Sequence, residues 1–322
     1  MYKEKLEKSF NISIFHFWSN KYITKYTFNK KKYLVPIVLE YIANILKRLW
    51  QLYVTAPRCD IIFVQKGIIP GINRTFLTHL RKQKKRIVFD VDDAIYLKKG
   101  DNSDSIASQS SVIICGNEEL ASHYKEINSN CVILPTIEDT RKFRSYWSDT
   151  FDNKILGWIG SGVTLENLDL IVDAINSIVE LHPEVQFHII SNDPGDYLER
   201  IRGSKFIKWQ LDSYMSELSR FTVGLMPLKD IPINYGKCGF KLVQCLSMKK
   251  PVIATDLGVN SQIVGRAGML ADSREEWVEA FEELLFHKEA YDECVRNIED
   301  SFLKEYNFDS IASRLIDIIN DS

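Results

Sequence analysis

Two lysines in the last third of the chain have the spacing and surroundings of a phosphate-binding site. Lys237 and Lys241 flank Gly239, and they lie between an apolar run at Val223–Pro227 and a helical pattern at Phe240–Met248. The apolar run predicts a buried strand of a parallel sheet. A helix N-terminus offers unpaired N–H groups, and nearby lysines add positive charge. The pattern indicates a diphosphate site, and the alternative is a βαβ unit whose lysines face water.

Two further glycine turns follow predicted strands. The strand Pro251–Thr255 leads into a turn that contains Gly258 and Asn260. The strand Lys154–Ile159 leads into Gly160, Ser161 and Thr164, and we predict that Thr164 caps a helix over Leu165–Leu181. Parallel strands present such turns at one sheet edge, where ligands bind. The spacing is not GxGxxG, and no suitably placed acid follows, which disfavours a dinucleotide cofactor.

Three carboxylates follow another predicted strand, Arg86–Phe89. They are Asp90, Asp92 and Asp93, and they are expected at the ligand-binding edge of the first sheet. Asp92 and Asp93 are therefore candidates for substrate binding or for a base that orients a hydroxyl group. A metal site is conceivable. The alternative is helix capping and hydrogen bonding within the loop.

Charge is distributed unevenly along the 322 residues. The first 100 residues hold 20 Lys and Arg against 7 Asp and Glu, whereas the other 222 hold 21 against 36. A basic half predicts an anionic partner such as a membrane surface. Residues 33–54 are apolar but contain Glu40, Lys47 and Arg48, which favours an amphipathic helix over a membrane span. The alternative is a helix packed into the core with a solvated basic face.

The length predicts two domains of about 150 residues each. Ile12–Trp18 is expected to form a strand and Asn73–Lys85 a helix. The six cysteines show neither a CxxC pair nor metal-ligand spacing, which predicts reduced thiols in a cytoplasmic protein. The first 20 residues lack the apolar core of a signal peptide.

Several strings together resemble retaining nucleotide-sugar glycosyltransferases of the GT-B fold, family GT4, in a bacterial branch linked with surface polysaccharides. The strings include GLMPL at 224–228, GKCGFKLVQ at 236–244, KPVIAT at 250–255, GWIGS at 157–161 and FDVDDAIY at 89–96. The resemblance implies two Rossmann-like α/β domains that face a cleft, the first of them shortened. It implies domains at 1–137 and 154–304, a linker at 138–153, and a C-terminal helix at 305–322 that crosses back to the first domain.

By this resemblance, a nucleotide-diphosphate sugar is the donor, and neither a metal nor a cofactor takes part. The acceptor is a glycan, lipid-linked or close to a membrane, and Asp92 and Asp93 lie on its side. The membrane is an anionic surface that the basic N-terminal half contacts from the cytoplasm. A nucleic-acid partner is disfavoured because no binding motif is present. The donor-binding residues are Gly160, Ser161, Thr164, Lys237, Lys241, Gln244, Gly258 and Asn260.

The chain departs from the family pattern at three positions. Many related enzymes have glutamates where this chain has Gly236 and Gln244, and a glycine where it has Lys249. The acid that usually grips the ribose is therefore replaced by an amide, which can still form a hydrogen bond with a hydroxyl. A catalytically weak GT-B protein that serves another transferase as a partner or chaperone is the alternative. A sugar-nucleotide epimerase would fit the fold alone.

Overall fold

The computed structural model describes residues 2–26 and 30–321, which divide into two compact units. The first unit comprises Tyr2–Leu134 together with residues 314–321, and the second comprises Pro135–Ser313. Each unit is built on one sheet whose strands are all parallel. The predicted α/β fold with two parallel-sheet domains is confirmed.

The first sheet has four strands in the order β1-β2-β3-β4. Its two central strands are apolar and almost fully buried, as expected for parallel strands that are covered on both faces. Gln65 pairs with Asp90 in the register, so the two strand ends lie side by side. The strands are β1 Ile61–Gln65, β2 Arg86–Val91, β3 Val112–Cys115 and β4 Cys131–Ile133.

Five α-helices of the described residues precede or connect these strands. The fifth begins at a cap formed by Asn117, whose Oδ1 accepts a hydrogen bond from the Leu120 backbone N–H at 2.9 Å. Such a side-chain cap satisfies an N–H that has no partner inside the helix. The helices are α1 Lys3–Leu6, α2 Leu34–Trp50, α3 Thr78–Lys82, α4 Ser103–Ala107 and α5 Glu118–Lys125.

Two sequence-based expectations for this unit are wrong in detail. Ile12–Trp18 contains no strand. The segment is held by side chains instead, since the ring of Trp18 stacks on Tyr41 of α2 at 5.8 Å between centroids. A helix is expected over Asn73–Lys85, but α3 comprises only five residues and ends at Lys82. Lys84, two residues later, has a φ of +57°, which is not a helical conformation.

The second sheet has six strands in the order β10-β9-β8-β5-β6-β7. Gly157 of β5 is required by packing, because a Cβ there would lie 2.0 Å from the ring of Phe221. The strands are β5 Ile155–Ile159, β6 Gln186–Ser191, β7 Ser204–Lys208, β8 Val223–Met226, β9 Val252–Ala254 and β10 Gly268–Leu270.

The helices of the second unit cover this sheet, and a cluster of buried apolar residues includes Trp158, Phe187, Trp277 and Phe281, all nearly inaccessible to solvent. The helices that precede β9 in this unit are α6 Thr140–Phe143, α7 Val172–Leu181, α8 Tyr197–Arg200, α9 Tyr214–Leu218, α10 Pro232–Tyr235 and α11 Phe240–Ser247. The remaining helices are α12 Asn260–Val264, α13 Arg274–Phe286, α14 Lys288–Asn297, α15 Leu303–Glu305 and α16 Phe308–Asp321.

Two segments have contacts that their sequence does not reveal. Residues 138–153, expected to form a linker, contain α6 and two short 3₁₀ turns, and Phe143 and Thr150 among them are buried. The end of α16 belongs to the first unit, where the Arg314 guanidinium donates to the Ile133 carbonyl oxygen at 3.2 Å. Arg86 likewise donates to the Asn320 carbonyl oxygen at 2.6 Å.

The six cysteines are all thiols, and four of them are buried. Cys59 and Cys131 are partly exposed, whereas the buried thiols are those of Cys115, Cys238, Cys245 and Cys294. Burial raises the pKa of Cys245 to about 12, because the apolar surroundings disfavour the thiolate.

Candidate functional site

The turn after β5 brings Gly160 and Lys241 into contact. The Gly160 N–H donates to the Ile190 carbonyl oxygen at 3.0 Å. A Cβ at Gly160 would lie 2.5 Å from the ring of Trp158 and 2.8 Å from Cε of Lys241, so only glycine fits. The Lys241 ammonium is 5.5 Å from the centroid of the Trp158 ring, within cation–π range. The aliphatic part of Lys241 therefore lies directly against the turn.

Lys241 belongs to the first turn of α11, whose N-terminus requires Gly239. This glycine has a φ of +65°, and a Cβ there would lie 2.1 Å from Cδ1 of Ile263. Lys237 precedes it in the loop, and its backbone N–H donates to the Asn234 carbonyl oxygen at 3.1 Å. The eight-residue helix thus starts with a basic residue at its positive dipole end, an arrangement that favours an anion.

The turn after β9 lies against the loop that leads to α11. Gly258 has a φ of +58°, and a Cβ there would lie 3.0 Å from the Tyr235 carbonyl oxygen. Asn260 is fully buried, and its side-chain amide donates to the Thr255 carbonyl oxygen at 3.0 Å. Its Oδ1 has no hydrogen-bond partner among the described residues. Asn260 therefore closes this turn, and it has no solvent-exposed surface.

The segment that follows Gly160 differs from the predicted helix. Residues Gly162–Leu170 form a 3₁₀ helix, and α7 begins only at Val172. Thr164 is therefore not the N-cap of an α-helix. Its hydroxyl donates to the Ser161 carbonyl oxygen at 3.0 Å, whereas the Ser161 side chain is exposed. The side-chain amide of Asn167 donates to the Thr164 carbonyl oxygen at 3.1 Å, a bond that competes with regular helix formation.

A polar network fixes these loops to one another. The buried Asn167 Oδ1 accepts from the Lys229 backbone N–H at 2.8 Å and from the Asn234 amide at 3.0 Å. The Lys229 ammonium is 2.8 Å from a carboxylate oxygen of Asp169. Burial acts to raise the pKa of Asp169, but hydrogen bonds from Lys229 and two other side chains lower it to about 2. The loops after β5 and β8 are thereby held together at the carboxyl edge of the sheet.

The sequence analysis missed Glu138, which contacts the predicted donor-binding residue Gln244. The amide of Gln244, 7% exposed, donates to Oε1 of Glu138 at 3.3 Å. Burial raises the pKa of Glu138, and the bond from Gln244 partly opposes that effect. Burial also raises the pKa of Tyr214 to about 12, with a smaller contribution from the Glu138 charge. No sequence pattern could have paired Glu138 with Gln244, because 106 positions separate them.

In the first unit, the predicted carboxylates surround a lysine. The Lys66 ammonium is 2.8 Å from Oδ1 of Asp92 and 3.2 Å from Oδ2 of Asp93. Burial acts to lower the pKa of Lys66, but the two carboxylates raise it overall. Among residues 2–26 and 30–321, no group of three or more His, Cys, Asp or Glu side chains is arranged to hold a metal ion. The sequence analysis also missed Lys66. This residue directly follows β1, and the end of β1 lies beside the end of β2, where the aspartates are.

The carboxyl group of Asp90 has a raised pKa. Gln65 donates to its Oδ2 at 3.1 Å. Burial, and secondly the charge of Asp92, raise the pKa of Asp90 from 3.8 to about 6. Clustered and perturbed titratable groups at the carboxyl end of a parallel strand are typical of ligand sites.

Replacing Asp90 with asparagine should change the pH dependence of stability. The folded protein keeps the Asp90 proton up to about pH 6, whereas the unfolded chain loses it near 3.8, so ionisation costs stability as pH rises between these values. The variant should lack this loss, and at pH 7 its free energy of unfolding should exceed that of wild type by roughly 3 kcal/mol. Urea unfolding at pH 4, 5, 6 and 7 measures this difference. Asp152→Asn, at an exposed site, is the matched control, and parallel curves for Asp90→Asn and wild type would contradict the prediction.

Comparison with known families matches the second unit to one of them. Residues 153–287 match the family model described as "Glycosyl transferases group 1". This range contains β5 to α13, and so every predicted donor-binding residue. No curated protein sequence matches the chain significantly.

Solved structures extend the likeness over most of the chain. TarM of S. aureus, in complex with UDP and α-GlcNAc-glycerol, superposes with a TM-score of 0.66 over 86% of this chain at 14% identity. HepE of Anabaena, in complex with UDP-glucose, has a TM-score of 0.67 over 88% of this chain at 13% identity, and 84% of HepE is covered. The Gap123 glycosylation-associated protein complex of Streptococcus agalactiae gives 0.56 over 85% of this chain at 14% identity.

This chain spans only 59% of the TarM chain and 57% of the Gap123 chain. At such low identities the likeness concerns the fold alone. The chain therefore has the GT-B fold, and its residues 153–287 match the Glycosyl transferases group 1 family.

Proposed function

We propose that the chain is a metal-independent, retaining glycosyltransferase of the GT4 type. It would transfer a sugar, such as a hexose, from a nucleotide-diphosphate donor to a glycan acceptor that is lipid-linked or close to a membrane, in the synthesis of a bacterial surface polysaccharide. The observation that carries the proposal is the contact between Lys241, at the start of α11, and the Gly160 turn after β5.

The chemistry requires stabilisation of negative charge on a departing diphosphate. As the sugar leaves, its anomeric carbon gains positive character and the phosphate oxygens gain negative charge. Lys241 and the N–H groups at the start of α11 would stabilise that charge, and because they belong to a formed helix, little reorganisation would be needed during the reaction. Lys237, Ser161 and the Gly258 turn would complete the phosphate and sugar contacts. The departing phosphate can accept the proton of the acceptor hydroxyl, so no dedicated protein base is required.

The pair Glu138–Gln244 would bind the ribose of the donor. Gln244 lies three residues after Lys241 on α11, so the two side chains share one face about 5–6 Å apart. That separation suits a phosphate at Lys241 and a diol at the pair. A carboxylate accepts hydrogen bonds from two neighbouring hydroxyls, and burial of Glu138 strengthens such bonds. Glu138 would thus supply the acid that position 244 lacks.

Asp92 and Asp93, with Lys66 and Asp90, would lie on the acceptor side. Their side chains can accept hydrogen bonds from sugar hydroxyls, and Lys66 reduces their mutual repulsion. The basic first 100 residues favour an acceptor at an anionic membrane surface, and the protein would act there from the cytoplasm. UDP-sugars are the first donors to test, because HepE and TarM were both solved with UDP or a UDP-sugar.

A thermal-shift screen against UDP, GDP, ADP, CMP and their common sugars tests the donor site. A ligand that binds only the folded state raises the melting temperature, and we expect one nucleotide diphosphate to do so. No shift with any nucleotide would contradict the proposal.

The ribose contact has its own test. Glu138→Gln should lower the affinity for the nucleotide that raises the melting temperature by about tenfold or more, as expected for the loss of hydrogen bonds to a charged group. Wild type should bind the 2′-deoxy nucleotide about tenfold more weakly than the ribonucleotide. Glu138→Gln should bind the two nucleotides with equal affinity. Glu289→Gln, at an exposed site of the second unit, is the control. If Glu138→Gln still prefers the ribonucleotide as strongly as wild type, the carboxylate does not contact the diol.

The alternative is a partner subunit of another glycosyltransferase. Gly236 and Gln244, in place of two glutamates, favour it, as does the likeness to the Gap123 complex. The nucleotide screen separates the two functions, since a partner subunit has no need of a diphosphate site. Absence of nucleotide binding, together with co-purification of a transferase from the native host, would favour the alternative.

A further inference from the structure

Helix α2 contacts the rest of the first unit partly through polar side chains, whereas most of its large apolar side chains are exposed. None of its residues is fully buried. Three of its polar residues form hydrogen bonds with the rest of the first unit: Tyr41 donates to the Pro70 carbonyl oxygen at 2.6 Å, Arg48 to the Phe15 carbonyl oxygen at 3.1 Å, and Glu40 accepts from the Ser19 N–H at 2.9 Å. The apolar residues Ile37, Ile45 and Leu49 are half-buried.

Most of the large apolar side chains of α2, and one of the π-helical turn after it, are exposed. At 100° per residue, those on α2 fall within an arc of about 160° on one side of the helix. A soluble helix normally buries such an arc, because exposure of apolar surface is unfavourable. Between 45% and 68% of each residue is accessible, and the residues are Leu34, Val35, Val38, Leu39, Ile42, Leu46, Trp50 and Tyr53. We call them the α2 apolar face.

Basic residues flank this face at both ends. Lys30, Lys31 and Lys32 directly precede the helix and are exposed, and Lys47 is exposed in its last turn. Glu40 is the single acidic residue of α2, and its carboxylate is engaged by the Ser19 N–H. Exposed apolar side chains, a tryptophan near one end and flanking lysines are the features of helices that lie in the interface of an anionic bilayer.

We propose that the α2 apolar face binds an anionic lipid bilayer with the helix axis parallel to the membrane plane. The apolar side chains enter the boundary between headgroups and acyl chains, and Lys30–Lys32 contact lipid phosphates. In the described part of the chain, no helix is both long and apolar enough to cross a membrane. The charges favour lipid over a second copy, because two such faces would bring their lysines together.

This inference refines the membrane contact of the proposed function, yet its test needs neither donor nor acceptor. The purified chain is mixed with vesicles of phosphatidylcholine, with or without 30 mol% phosphatidylglycerol, and binding is measured by flotation. Anionic vesicles should bind the protein, binding should weaken with salt, and neutral vesicles should bind it poorly. The Trp50 emission should shift to the blue with anionic vesicles, and Trp50→Phe should remove most of that shift.

Two sets of variants assign the binding to the α2 apolar face. Leu39→Glu with Leu46→Glu should reduce vesicle affinity by about tenfold or more, whereas Leu181→Glu with Leu211→Glu, equally exposed in the second unit, should leave it unchanged. Replacing Lys30, Lys31 and Lys32 with glutamine should lower the affinity for anionic vesicles by about a hundredfold, since each lysine contributes about fivefold. The control replaces Lys82, Lys98 and Lys99, which are exposed elsewhere in the basic half.

The results also separate this inference from the donor site. A cooperative thermal transition close to that of wild type shows that Leu39→Glu with Leu46→Glu is folded, and a nucleotide-induced thermal shift that persists in it shows that its donor site is intact. Wild-type vesicle binding by that variant would overturn the proposal. A second result would also overturn it: wild type is a dimer in light scattering and does not bind anionic vesicles, whereas the variant is a monomer. A second copy of the chain would then cover the α2 apolar face.

Discussion

Replacing Lys241 with methionine should lower kcat/KM with the nucleotide-sugar donor by about two to three orders of magnitude, the effect expected when one pre-oriented charge on the leaving group is lost. Methionine retains the unbranched aliphatic chain that contacts the Gly160 turn, so packing should change little. The melting temperature without ligand should stay within a few degrees of wild type, and the shift produced by the nucleotide should be largely lost. Steady-state kinetics and thermal shifts measure these quantities.

Lys205→Met is the matched control for Lys241→Met. Lys205 is exposed on β7 at the far edge of the same sheet, so its loss changes net charge equally without touching the turn. Its kcat/KM should be within about twofold of wild type. If Lys241→Met keeps full activity and nucleotide affinity, the phosphate site lies elsewhere.

Replacing Lys250 with alanine should destabilise the protein by about 3–5 kcal/mol. Lys250 is fully buried, and its ammonium donates to the Ser148 carbonyl oxygen at 3.0 Å and to the Thr150 hydroxyl at 2.8 Å. Alanine would leave a cavity and remove the donor from a buried carbonyl group. Urea unfolding at pH 7 measures the loss.

The neighbouring Lys249 provides the control for Lys250→Ala. Its ammonium pairs with Glu299 near the surface, so Lys249→Ala should cost less than about 1 kcal/mol. Equal losses for the two alanine variants would contradict the assigned role of Lys250.

The Lys250 ammonium should also make stability depend on pH. Burial lowers the pKa of Lys250 from 10.5 to about 8. Between these values the unfolded chain holds a proton that the folded protein has released, so the contribution of Lys250 to stability rises with pH. The difference between wild type and Lys250→Ala should therefore grow from pH 8 to pH 10. A constant difference would show that the buried amine is protonated to the same extent in the folded and unfolded chains, and hence that burial does not lower its pKa.

The sequence predicts well the parts of this protein that depend on local patterns. Apolar runs such as Val223–Met226 are central parallel strands, and the glycine turns after them lie at the strand ends, as expected. Gly160 and Lys241 could be assigned to one site because both follow strands of the same sheet. Gly239 and Gly258 could be assigned to tight turns, and both have positive φ.

Other features depend on contacts between distant residues and could not be predicted. Glu138 contacts Gln244 through tertiary packing of a segment that has no periodicity. The 3₁₀ helix at Gly162–Leu170 depends on Asn167, whose side chain bonds to Lys229 more than 60 positions later. For α2, periodicity gives the position of the apolar arc but not the direction it faces, because that is decided by contacts such as Tyr41 to Pro70.

The distribution of thiols gives this protein a built-in reporter of local opening. A thiol-reactive dye added to the native protein should modify Cys59 and Cys131 first, because the other four thiols are shielded. Cys115 lies in the first unit, and Cys238, Cys245 and Cys294 lie in the second. Pulse labelling followed by peptide mass analysis should therefore time the exposure of each unit separately during heating, without any engineered probe.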